Sequence, residues 1–316
     1  MSTNGYGARI KQLARDALWR GGRTVFDAAI GHWRGQVFSI GMYRGATLHS
    51  LDEASGANNP VLRADDVTDV PAAFVADPFL LRHDGVWFMF FEVLNRVSRM
   101  GQIAVATSRD GLRWQYGQTV LKEPFHLAYP HVFAWGDRIF MVPDTPGNGV
   151  RLYESVEFPN VWKLSAVLFE KNTFSDSSVF QFEDRWWMFA GWVRRRGDPM
   201  SLRLFGAADP TGPWWEHPQS PVIRGDDRVA RPAGRVQILE GVAHRFTQNC
   251  RGGYGLDVKS IEITELSPTR YSERVEGRDV LRAGRAPWNA GGMHHLDAVR
   301  APDGAWLACV DGWRYA

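Results

Sequence analysis

Cysteine is scarce: Cys250 and Cys309 are the only two in 316 residues. They stand far apart without metal-ligand spacing, which excludes a disulfide scaffold and fits a reducing compartment. Long apolar runs are missing as well. None approaches the roughly 20 residues that cross a bilayer, and the first residues lack the apolar stretch of a signal peptide. A cytoplasmic location is the expectation. Charge of one sign is absent, since 37 basic residues face 35 acidic ones for a formal net charge of +2. That balance excludes a phosphate-tracking nucleic-acid binder. Neither a glycine-rich phosphate loop nor a His/Cys metal motif occurs, so no cofactor and no metal is expected.

Aromatic residues, by contrast, are abundant, with 14 Trp and 18 Phe. They fill cores, and their flat faces also stack on the apolar sides of sugar rings. Helical spacing is confined to "ARIKQLARDALWRGGRTVFDAAIGHWR", where Ile10, Leu13, Ala14, Ala17 and Leu18 recur on one face and Arg9, Lys11, Arg15 and Arg20 supply charge. Residues 1–32 therefore read as a short basic amphipathic helical segment. Packing as a cap on the domain is favoured over peripheral contact with an anionic membrane surface.

"FVADPFLLRHDGVWFMFFE", residues 74–92, sets an Asp-Pro corner before an apolar run and closes it with a carboxylate. The same order of corner, strand, tight polar turn and second strand can be read in five copies. The copies start at Asp77, Tyr129, Asp176, Arg231 and His294, spaced 52, 47, 55 and 63 positions apart. Alternating strands joined by Asp-Gly or Gly-Asp turns argue for antiparallel hairpins. A period near fifty with several strands per copy is that of a propeller blade, so residues 33–316 are predicted to form an all-β, five-bladed β-propeller. Only two strands of the fifth blade precede Ala316. "GQVFSIGMYRG", residues 35–45, is expected to pair into that blade as an outer strand and protect its open edge.

In a propeller the innermost strands line the axis, so equivalent repeat positions converge there. Asp77, Tyr129, Asp176, Arg231 and His294 are the residues this brings together. Asp77 and Asp176 are the candidate catalytic carboxylates; Glu92, Tyr129, Asp144, Arg231, His294 and His295 are candidates for substrate binding. The plainer reading is that Asp-Pro and Tyr-Pro start turns, and that Glu92 and Asp144 brace neighbouring blades. His294 and His295 are adjacent, so on a regular strand they face opposite ways and do not readily share one ion.

"FVADPFLL", "EPFHLAYPHVF", "IFMVPDT", "RLYESVEFPNVWKL", "SPVIRGDDRVARPAGR", "RFTQNCRGGYG" and "GGMHHLDAV" together resemble the N-terminal domain of plant glucosamine inositolphosphorylceramide transferase and its stand-alone bacterial relatives, over roughly residues 33–313. That domain is similar in turn to the five-bladed furanosidase-type glycosidases. The resemblance implies that Asp77 stands where inverting members keep their general base. Tyr129 departs from the pattern, which has an acid there. Asp176 sits near an acidic position of the group, without the Glu-Gly motif of its general acid. Three readings follow. The propeller acts on a sugar or glycolipid by glycosyl transfer or hydrolysis, with Asp77 as base and Asp176 as acid or orienter. Or it binds and presents a carbohydrate to a partner glycosyltransferase. Or it is a scaffold whose rim loop "VRRRGDPM", residues 193–200, holds a protein.

Overall fold

The computed structural model describes residues 35–316 apart from 171–173 and 196, with 275–278 described as backbone only. Residues 1–32, and with them the proposed amphipathic helix and its membrane contact, lie outside the described residues. Five antiparallel sheets make up the fold, and each grows from one copy of the repeat. Blade one comprises Ala72–His83, Val86–Asn95, Gly101–Ser108 and Gln115–Leu121; blade two comprises Ala128–Trp135, Arg138–Asp144, Val150–Glu157 and Val161–Phe169. Blade three holds Phe174–Phe182, Arg185–Trp192, Ser201–Ala207 and the two-residue Trp215–Glu216. In blade four the inner strand is split into Arg231–Pro232 and Gln237–Leu239, followed by Val242–Gln248, Asp257–Leu266 and Tyr271–Arg282. This is the five-bladed propeller that the repeat predicts.

The inner hairpins turn as the sequence suggests. Asp84-Gly85 and Glu240-Gly241 both hold the paired left-handed conformation of a tight hairpin turn, at φ 47° and 79° and at 51° and 83°. Blade three achieves the same with Glu183-Asp184, at 49° and 59°, where no glycine marks the turn.

Blade five is assembled from both parts of the chain. Gly292–Arg300 and Trp306–Tyr315 are joined by Gln36–Gly45, which pairs antiparallel without a break from Gln36 opposite Tyr315 to Gly45 opposite Trp306. The segment is the third strand of four rather than the outermost, because Asp52–Glu53 folds back on Tyr43 and Arg44 to cover its far edge. Phe38, Ile40 and Met42 on this strand are fully buried.

Among the described residues the core divides into five apolar clusters, one in each wedge between adjacent blades. Ile40, Met42 and Leu307 meet Met89 and Phe91 between blades five and one, while Phe90, Ile103 and Val105 meet Val132 and Met141 between blades one and two. The remaining wedges are filled in the same way. The axis itself is crossed by a polar brace. Arg235, from the gap in the split inner strand of blade four, donates to Asp297 of blade five at 2.9 Å, to the Leu80 carbonyl of blade one at 3.2 Å and to the Val132 carbonyl of blade two at 2.9 Å.

Candidate active site

Four inner strands carry a β-bulge at one level. In each, two residues oppose one on the second strand: Asp77-Pro78, Tyr129-Pro130, Asp176-Ser177 and Met293-His294. A bulge bends the strand and re-aims its side chains. Asp77, Tyr129 and Asp176 accordingly sit in the left-handed region, at φ 53°, 47° and 54°. Such a backbone disfavours a non-glycine residue by about 1 kcal/mol or more, and it concentrates at functional positions.

The bulges aim their side chains at one buried cluster. Asp77 Oδ1 lies 3.2 Å from His294 Nε2 and 3.9 Å from His295 Nδ1. The alternation rule that would separate the two histidines fails here, because the bulge inserts His294 out of register and turns both rings toward the same oxygen. Asp176 Oδ2 accepts from Arg231 Nε at 2.5 Å and from Gln248 Nε2 at 3.0 Å. The Arg231 guanidinium in turn lies over the Tyr254 ring, 5.0 Å from its centroid, a cation–π contact. Glu92 and Asp144 occupy matching places on the second strands, opposite Ala76 and Ala128 just before each bulge.

The carboxylates also stitch each blade to the next. Asp311 of blade five accepts the Asp77 N–H at 2.9 Å, and Asp77 accepts the Tyr129 N–H of blade two at 3.2 Å. The Asp176 N–H of blade three supports Asp144 of blade two, and Asp176 grips Arg231 of blade four. Part of the plainer reading thus holds: these acids fasten the bulges. Tyr129 is wholly internal. Its hydroxyl receives the Gly234 N–H at 2.7 Å and lies 2.7 Å from Ser178 Oγ.

Charge is unbalanced in this cluster. Asp77, Glu92, Asp144, Asp176 and Asp311 face one guanidinium, Arg231, and two imidazoles, His294 and His295. The acids therefore separate. Against the cost of burial, the His294 hydrogen bond and charge hold Asp77 below the usual carboxylate range. Burial, reinforced by neighbouring carboxylates, pushes Glu92 and Asp144 well above it. Burial raises Asp176 despite Arg231. His294 is the mirror case: burial opposes its charge, but Asp311, 2.7 Å from Nδ1, and Asp77 on the other side raise it well above an ordinary histidine. Behind Glu92, His126 accepts the Gly101 N–H on Nδ1 at 2.8 Å, and burial lowers it to about 4.

Sequence reasoning missed Asp311, Gln248, His126 and Tyr254. Asp311 escaped because it pairs with His295, past the bulge, where the other blades carry Phe90, Val142 and Phe189. The only signal was an acid inside the apolar run "WLACVDGW". Gln248 was visible, since it stands opposite Arg231 in blade four. Tyr254 belongs to the loop after that strand, which folds onto His294. Gly255 lies so close that a Cβ there would fall 2.6 Å from His294 Cβ, and its φ of 64° also favours glycine. Asp77, His294 and Asp311 each bring one donor atom within 4.8 Å of the others, a grouping that could hold a cation. The carboxylate–imidazole–carboxylate contacts favour a protonated ring, which has no lone pair to offer.

Residues 35–313 match the family described as glucosamine inositolphosphorylceramide transferase 1, N-terminal. The chain belongs to this family. It is 37% identical over 300 residues to glucosamine inositolphosphorylceramide transferase 1 of Oryza sativa subsp. japonica, and 30% identical over 302 residues to that of Arabidopsis thaliana. The alignments take in 88% of this chain but only 40% and 39% of those relatives, so the chain spans well under half of their length. Among solved structures it is similar to a β-1,2-mannobiose phosphorylase from Listeria innocua, with a TM-score of 0.62 at 11% identity, covering 85% of this chain and 96% of that one. It is also similar to a thermostable family-43 glycoside hydrolase, with a TM-score of 0.56 at 15% identity over 76% and 88% of the two chains. At such identities the likeness is one of fold, and it agrees with the five blades.

Proposed function

We propose that this propeller acts on the sugar of a glycolipid or surface glycan during its biosynthesis, by glycosyl transfer or hydrolysis, with the bulge carboxylates as its acid–base groups. One observation carries the reading. Carboxylates at matching bulge positions have their proton affinities moved in opposite directions, Asp77 down by His294 against the cost of burial and Asp176 up by burial. Chemistry at a glycosidic carbon needs such a pair, one group to accept a proton and one to donate it. Asp77 is the acceptor, held in place by the His294 ring, which Asp311 supports from its other side. Asp176 is the donor or orienter, steadied by Arg231. The name of the plant relatives supports a glycolipid as the acceptor class. A cytoplasmic location, expected from composition, favours transfer over digestion.

A second reading is favoured by the inter-blade stitches and by the length of the relatives: the propeller presents its sugar to a separate glycosyltransferase. Asp77→Asn separates the two, because asparagine keeps an oxygen for the Tyr129 N–H while it removes the charge and the acceptor that faces His294. Catalysis by Asp77 is expected to lose about 10²- to 10⁴-fold in turnover of a glycolipid acceptor with sugar binding retained. Unchanged turnover, in the presence of the partner transferase, would assign the presenting role instead.

A further inference from the structure

On the outer half of blade three, away from the carboxylate cluster, lies a cavity of about 790 Å³. One wall is formed by Trp192, Arg194, Asp198 and Pro199; the other is the segment 217–224. That second wall is tied to the third strand by one β-bridge, with the Val222 N–H bonded to the Leu202 carbonyl at 2.8 Å and the Leu202 N–H to that of Ile223 at 2.9 Å. Arg203, on the third strand, pairs with Ala190, the residue opposite the Asp176-Ser177 bulge. The cavity therefore sits two strands out from Asp176, about 10 Å along the blade.

Three guanidinium groups line this cavity: Arg194, Arg203 and Arg224. Arg203 is fixed in place. Its guanidinium lies 4.9 Å from the Trp192 ring centroid, it pairs with Glu216, and its Nε is buried without a hydrogen-bond partner. Asp198, the other acid of the lining, accepts the Arg195 backbone N–H at 3.1 Å. Arg194 and Arg224 are exposed and, among the described residues, have no ion-pair partner. Against Arg194 and Arg224 the lining sets only the Asp198 carboxylate, so the balance is positive around a space of the size that small-molecule sites occupy, roughly 300–1,000 Å³. Guanidinium forks match the oxygens of a phosphoryl group, and several of them suit an anion with more than one free oxygen.

We propose that this cavity is a binding site for a phosphoryl-bearing ligand, either the headgroup of an anionic lipid or a soluble sugar phosphate. The site is separate from the acid–base cluster and stands or falls independently of it. The test uses the full chain and the double variant Arg194→Glu/Arg224→Glu, both on exposed loops where folding is undisturbed. Glucose 1-phosphate is titrated by calorimetry, and sedimentation is measured with phosphatidylcholine vesicles with and without phosphatidylinositol. The double variant is expected to weaken binding by about ten-fold or more, and Arg194→Lys/Arg224→Lys to retain part of it. Loss on vesicles identifies the lipid headgroup as the source; loss with glucose 1-phosphate alone identifies the soluble ligand. The basic N-terminal segment is common to all variants, so any difference reads the cavity. Equal binding by parent chain and double variant, or no binding of either probe by the parent, overturns the proposal.

Discussion

Arg231 and Arg235 leave the same blade four residues apart, and each meets a buried aspartate, yet the two surroundings behave differently. Around Arg235 the charges balance: one guanidinium, one carboxylate in Asp297, and two carbonyls take up its donors, while the Leu80 N–H satisfies Asp297 Oδ2 at 2.7 Å. Around Arg231 five acids face one guanidinium and two imidazoles, and burial with that surplus of carboxylates raises Glu92, Asp144 and Asp176. A balanced buried pair contributes rigidity. An unbalanced one stores proton-transfer capacity, because in a low-dielectric site like charges cannot all ionise.

The largest test of this contrast removes the brace. Arg235→Ala leaves Asp297 buried and unpaired, and is expected to lower stability by about 3–5 kcal/mol, read as a shifted urea midpoint; a loss under about 1 kcal/mol would erase the distinction. Next comes pH. The native His126 titrates near 4 and the unfolded one near its ordinary value, so below about pH 6.5 the unfolded state takes up a proton that the folded state refuses. Stability contributed by the neutral ring is full above that pH and falls by about 2 kcal/mol on going to pH 5. His126→Gln should flatten that part of the urea-midpoint profile.

Tyr129→Phe tests whether the phenol is a stitch. It strands the Gly234 N–H and is expected to cost about 1–2 kcal/mol at any pH between 5 and 8; an intact melting temperature with lost sugar binding would make Tyr129 a ligand instead. The smallest effect is expected at Glu92. Since burial already favours its neutral form, Glu92→Gln should change stability by less than about 1 kcal/mol at about pH 4 and below, where the unfolded carboxyl is largely protonated too. It should also remove the loss of stability that a raised carboxyl imposes as pH climbs. A large destabilisation would show that Glu92 is ionised and paired.

Much of this arrangement was legible in the chain. Asp77 and Asp176 were found because the same corner recurs before each inner strand, and the pairing of residues 35–45 with the last strand followed from an open edge and a single unassigned strand pattern. Its place as third strand did not follow, since Asp52–Glu53 is too short to show a period. Blade four's broken inner strand hid Arg235, whose partners lie on three other blades. His294 and His295 were separated by the alternation rule, which assumes a regular strand and has no means of seeing a bulge.

The sequence by itself determined the number of blades, the turns that end their hairpins, the strands that line the axis and the closure of the ring. All of these rest on short-range patterns: alternation, turn residues and a repeat near fifty. Only the tertiary structure decided which carboxylate each blade lends to the next, that Asp311 and Tyr254 join the cluster, and which acids are raised and which lowered. Those outcomes depend on distances between blades and on burial, and a difference of an ångström or of one buried neighbour reverses them, whereas the linear pattern stays the same.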